Sequence, residues 1–172
     1  LGLRRGVGGR DREVRAGGGD RRAARELRRI RGSRLGVVGL GRTGRALVER
    51  ARALGFEVWG TDPALSVEEI AAAGARPAPL EELLAACHAV SLHVALTPET
   101  DCLLGAEELA LMPDGAVLVD TARAQLIDLE ALRPELESGR LGGAALDVIQ
   151  VEPPTEEHPA PVWPRLIVTP HV

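Results

Sequence analysis

Lysine, asparagine and tyrosine are absent from the 172 residues, and all 21 positions that carry lysine or arginine are arginine. Without lysine the chain has no Walker A phosphate clamp and no Schiff-base nucleophile. The two cysteines, Cys87 and Cys102, form no CxxC pair and no ligand cluster. That suits a reduced, intracellular setting better than a disulfide framework. No apolar run reaches the roughly 18 residues a membrane span requires, and no secretory leader pattern is present, so the chain reads as soluble. The surplus of Ala, Gly, Arg and Pro follows the bias of a GC-rich coding sequence.

The length suits one domain with a substantial core. Charge divides it unevenly: residues 1–34 hold 12 Arg against 4 acids, and the remainder holds 9 Arg against 21 acids. Residues 1–22 are low-complexity Gly and Arg with few large apolar side chains, which cannot offset the entropy of ordering, so a disordered tail is expected there. Such a tail can touch phosphates, but without aromatic residues to stack on bases a nucleic-acid partner is disfavoured.

From residue 23 the pattern changes. AARELRRI could form a short helix, and short Val-rich runs then alternate with helical spacing. LGVVG, FEVWGT, AVSLHV, AVLVDT, GAALDV and LIVT read as strands buried on both faces. TGRALVERARALG, SVEEIAAAG, LEELLAA, AEELALM and DLEALRPELESG read as helices, with Pro134 expected in a first turn or at a kink. This alternation predicts an α/β fold, a doubly wound parallel sheet of Rossmann type over residues 23–172. Ligands of such sheets gather at the carboxyl ends of the strands.

The first run leads into Gly39, Leu40, Gly41, Arg42, Thr43 and Gly44, a GxGxxG that opens a helix. The glycines serve a tight turn, close approach of a pyrophosphate and close helix packing, while the helix N-terminus offers free N–H groups to phosphate. Asp62 ends the second run 18 residues after Gly44. A carboxylate there can accept both ribose hydroxyls and repels a 2′-phosphate, which favours NAD over NADP. A methyltransferase that binds S-adenosylmethionine remains open on these features alone.

Three residues then fall just past predicted strands: Arg123 after AVLVDT, Glu152 after GAALDV, and His171 after LIVT. Arginine's rigid fork matches a carboxylate, histidine exchanges a proton near neutral pH, and a glutamate can orient the ring. From about residue 30 onward the chain resembles the NAD-binding domain of the D-isomer-specific 2-hydroxyacid dehydrogenases. Within them it is most similar to the C-terminal binding protein branch. The stretches that carry the resemblance are RIRGSRLGVVGLGRTG, GTDPALS, SLHVALTPET, LVDTARAQLID, GRLGGAALDV, the EPP at 152–154 and the TPH at 169–171.

The resemblance implies hydride transfer between NAD(H) and a 2-keto or 2-hydroxy acid. Arg123 would bind the substrate carboxylate and polarise its carbonyl, His171 would be the acid/base and Glu152 its partner. Gly39, Gly41, Arg42, Thr43 and Gly44 would meet the pyrophosphate and Asp62 the ribose. Val94, Thr100, Thr121, Ala122 and Asp147 would line the nicotinamide side. It also implies a homodimer in the intact cytoplasmic protein, or, on the alternative of an NAD-sensing corepressor, a nuclear one. A non-catalytic fragment is a third reading.

No metal is expected. His88 and His93 are five apart on one expected strand, which puts them on opposite faces. A packed, hydrogen-bonded role is expected for His93. The chain departs from the family in carrying Asp120 where asparagine is usual and Ala124 where glycine is usual. An exposed Asp120 would pair with Arg123 and compete with substrate, and Ala124 would resist left-handed backbone. The family's substrate domain has no counterpart here, so a fragment of a two-domain protein is expected.

Overall fold

The structure, a computed structural model, describes residues 29–151, 155, 161–169 and 171. The low-complexity tail lies outside the described residues, as does the expected helix over 23–30 except for its last two residues, which are not helical.

Seven parallel strands form one sheet in the order β3-β2-β1-β4-β5-β6-β7. They are β1 (Arg34–Val38), β2 (Glu57–Thr61), β3 (Arg76–Pro77), β4 (Ala89–Leu92), β5 (Val117–Asp120), β6 (Gly143–Leu146) and β7 (Leu166–Val168). The helices are α1 (Arg42–Leu54), α2 (Val67–Ala72), α3 (Leu80–Ala86), α4 (Ala106–Leu111) and α5 (Leu129–Glu137). The strand order reverses between β1 and β4, which opens a crevice at their carboxyl ends.

The apolar runs of β1, β2 and β4 become central strands because both of their faces are covered. On one face Leu35, Val37 and Val58 pack with Val48 and Ala51 of α1 and Ile70 of α2. On the other, Val38, Val90, Leu92, Leu118 and Leu146 pack with residues of α3, α4 and α5 such as Leu83, Leu109 and Leu132. The doubly wound expectation therefore holds around β1, β2 and β4. Beyond β4 the α1 face carries no helix among the described residues, and Val117 and Ile167 are 37% and 64% exposed.

Each expected strand has an observed counterpart, with one addition. β3 is only two residues long and contains Pro77, which cannot donate to a ladder; the strand survives because it lies at the sheet edge. Of the two placements expected for Pro134, the first turn is not the one observed: it sits inside α5 and leaves the Glu130 carbonyl without its helical donor. Asp128 compensates at the start of that helix, accepting from the N–H groups of Glu130 and Ala131.

Helix and strand meet most closely at Gly44, where a Cβ would come within 2.0 Å of the Gly39 carbonyl oxygen. The obstacle is backbone and cannot rotate away. Gly44→Ala is therefore expected to destabilise the fold by ~1–3 kcal/mol, read as a lowered denaturation midpoint with an unchanged slope.

Candidate functional site

The glycine turn runs without interruption from β1 into α1. Gly39 adopts φ +93, and a Cβ on it would strike the His93 carbonyl carbon and the Val94 nitrogen at 2.7 Å. The turn is thereby held against the end of β4. Gly41 is the N-cap of α1 and makes no side-chain cap, while a Cβ built on it meets nothing within 4 Å. No acid occupies the first turn of α1, so its free N–H groups and partial positive charge face that open space uncompensated. Arg45 stiffens the turn by donating from Nε to the Leu40 carbonyl at 2.8 Å.

Asp62 follows β2 and is bound to the same turn. Its Oδ2 accepts from the Leu40 N–H at 2.7 Å and its Oδ1 from the Ala64 N–H at 3.0 Å. Both oxygens keep a lone pair, so the carboxylate can still receive ribose hydroxyls. The bare helix end, the space above Gly41 and the anchored acid together fit a dinucleotide.

A cleft of about 610 Å³ adjoins this turn, lined by Arg42 and Thr43 of α1, His93 to Leu96 after β4, and Thr121, Ala122 and Arg123 after β5. Six of the expected residues thus meet in one place: Arg42, Thr43, Val94, Thr121, Ala122 and Arg123. His93, Ala95 and Leu96 join them. The Ser91 hydroxyl and His93 Nε2 lie 2.9 Å apart, and burial lowers the His93 pKa, which agrees with a packed and neutral ring. His88 and His93 flank β4 instead of lying within it, and the Arg34 N–H donates to His88 Nδ1. No group of acids, histidines and cysteines among the described residues could hold a metal ion.

Other expected residues stand outside that lining. The Thr100 hydroxyl donates to the Ala95 carbonyl and accepts from the Thr97 N–H, both at 2.8 Å, so it shapes the loop after β4. Asp147 directly follows β6, and its Oδ1 accepts from the Thr169 hydroxyl at 2.5 Å. His171 lies three residues past β7 and is exposed. Glu152 lies outside the described residues. A second cleft, of about 690 Å³, carries Asp101, Asp128 and Glu130 in its described lining and no cation, which does not suit an anionic substrate.

The two departures from the family behave otherwise than expected. Asp120 is fully buried, and no ion pair with Arg123 forms within 4.0 Å; Arg123 is exposed and donates from Nη1 to the Ala122 carbonyl at 2.6 Å. The Asp120 carboxylate folds back instead, with Oδ1 accepting from the Ala122 N–H at 2.8 Å. Its Oδ2 has no partner. Burial pushes this carboxyl up from 3.8 to about 6, against the lowering pull of the Ala122 and Arg123 N–H groups and the Arg123 charge. Ala124 opens a single 3-10 turn, buried and free of left-handed strain, so glycine is not needed there.

The profile described as "D-isomer specific 2-hydroxyacid dehydrogenase, NAD binding domain" matches residues 1–172. The chain belongs to this family. Among curated relatives, D-3-phosphoglycerate dehydrogenase of Methanocaldococcus jannaschii is 40% identical over 141 residues, covering 81% of this chain and 27% of the relative. Glycerate dehydrogenase of Methylorubrum extorquens is 40% identical over 147 residues, covering 83% and 44%. The crystal structure of a glyoxylate reductase from Paecilomyes thermophila superposes with a TM-score of 0.73 at 38% identity, covering 84% of this chain and 43% of that one. The chain thus spans less than half the length of these relatives. They are dehydrogenases and reductases, and nothing in them favours the corepressor alternative. No helix of the described residues of this NAD-binding domain is long and apolar enough to cross a membrane.

The raised Asp120 pKa fixes a sign for stability. The unfolded chain releases this proton near 3.8 and the folded chain near 6, so stability falls as pH rises between those values and the full cost is present above them. Asp120→Asn is expected to raise the stability by up to ~3 kcal/mol near pH 8, with the gain shrinking as pH falls through about 6. Urea titrations of both proteins across that range check it.

Proposed function

We propose that the protein carrying this domain transfers a hydride between NAD(H) and the C2 position of a 2-keto or 2-hydroxy acid, and that it works as a homodimer. The observation that carries the reading is the placement of Arg123 in one cleft with Arg42 and Thr43 at the start of α1. A fixed guanidinium beside a dinucleotide turn is what a small acid reduced by a bound nicotinamide requires.

NAD(H), when bound, supplies or accepts the hydride. Gly39, Gly41 and Gly44 let the backbone approach its pyrophosphate, which Arg42, Thr43 and the helix N-terminus hold. Asp62 receives the adenosine ribose. Arg123 holds the substrate carboxylate and draws electron density from the neighbouring carbonyl, and Val94, Thr121 and Ala122 form the wall beside it. His171 gives a proton to the carbonyl oxygen in reduction and takes it back in oxidation, with Glu152 as its orienting partner. Asp147 presents a carboxylate to the carboxamide side, and Thr100 supports that wall through its loop.

Relatives are named for phosphoglycerate, glycerate and glyoxylate, each with a carboxylate next to the reacting carbon. That shared group is the one Arg123 recognises.

Two measurements test the reading. NADH fluorescence titration of this chain is expected to show binding that weakens ~10–100-fold in Asp62→Ala, through loss of charge-assisted bonds to the ribose, and NADPH is expected to bind more weakly than NADH. Binding untouched by Asp62→Ala would remove the cofactor assignment. In the full-length protein, His171→Ala is expected to lower kcat with 2-keto acids by ~10²–10⁴. Unchanged turnover in that variant would exclude His171 as the acid/base.

A further inference from the structure

Asp120 ends the central strand β5, in register with Leu92 of β4 and Leu146 of β6. Its carboxyl is enclosed by apolar neighbours on both sides. One oxygen caps the turn that carries Arg123 through the Ala122 N–H, and the other is buried with no partner. An asparagine would supply the same capping oxygen without a charge. What distinguishes this chain is therefore the negative charge, which sits three residues from the guanidinium that lines the cleft.

We propose that Asp120 is a positioning residue that tunes the carboxylate affinity of Arg123: its capping oxygen holds the turn, and its charge competes with the substrate carboxylate for the guanidinium. This rests on the reading of Arg123 as the carboxylate-binding group. The competition acts through space, because Arg123 reaches outward to the Ala122 carbonyl instead of closing on Asp120. Burial strengthens that field, since Oδ2 accepts no hydrogen bond from the protein.

The surroundings leave few other candidates for the effect. β4 ends in Leu92 and continues into His93, β6 ends in Leu146 and continues into Asp147, and the turn after β5 carries Arg123. Of these, Arg123 is the charge that acts on Asp120, and His93 is held toward its neutral form by burial. Asp147 is occupied by the Thr169 hydroxyl. As Asp120 loses its proton, the site's pull on a monoanionic acid weakens, so substrate capture is stronger on the acidic side of about pH 6.

The test has two arms. In the full 172-residue chain, carbon-detected NMR of the Asp120 carboxyl and the Arg123 guanidinium is followed through the titration. The Arg123 resonances are expected to move with the Asp120 midpoint near pH 6 and to lose that step in Asp120→Asn. Arg123 resonances indifferent to the Asp120 titration in the wild-type chain would overturn the proposal, whether or not the variant folds. In the full-length protein, KM for a 2-keto acid near pH 8 is expected to be ~5-fold lower in Asp120→Asn, mainly in KM and not in kcat, with the difference closing near pH 5. A KM ratio that does not change with pH would also overturn it. Absence of turnover with every 2-keto acid would instead refute the proposed function, leaving the first arm to decide the coupling.

Discussion

The approach of α1 to β1 is the constraint on which the rest of the site depends. Gly44 lies so near the Gly39 carbonyl that no side chain fits, and Gly39 is pressed in turn against the backbone of His93 and Val94. Two missing side chains thus lock the first strand, the first helix and the end of β4 into one unit. The helix N-terminus faces the open space above Gly41 because of the first contact. The residues after β4 become the wall of the neighbouring cleft because of the second. The device is steric, so its parts are displaced together or not at all.

Around that unit the sheet edge is organised by aspartates that perform the same local manoeuvre. Asp62, Asp120 and Asp128 each accept a backbone N–H from two residues further on, which turns the chain as it leaves a strand or enters a helix. Their surroundings make them different. Asp62 reaches back to Leu40 and stays open to a ligand, whereas Asp128 caps α5. Asp120 is buried on the sheet face it shares with Leu92 and Leu146, with one carboxylate oxygen on the Ala122 N–H and the other without a protein partner. One turn motif therefore yields an anchored, solvent-facing carboxylate, a helix cap and a buried charge.

Much of this was legible in the residues. The Val-rich runs announced the central strands because a parallel strand covered on both faces must be apolar throughout. The glycine spacing marked the turn from β1 into α1, and Asp62 and Arg123 could be placed at the carboxyl ends of β2 and β5 from the alternation of strand and helix. β3 gave no such signal, since two residues, one of them proline, carry no period. Thr100 illustrates the opposite difficulty: its position suited the cleft, but its hydroxyl closes its own loop. Ala124 opens a 3-10 turn without a left-handed angle, a feature that local sequence does not encode.

What the sequence by itself determined is the alternation of strand and helix, the glycine turn, the acid after β2 and the arginine after β5. All of these are local in the chain, expressed through periodicity, steric size and charge type. Only the tertiary structure decided which of the candidates share a cleft, that Asp120 is buried and unpaired with Arg123, and that Asp62 is tied to Leu40 across 22 residues. Burial and long-range hydrogen bonding depend on which strands become neighbours. That order, with β4 beside β1 and β5 beside β4, arises from packing the whole sheet and not from any single segment.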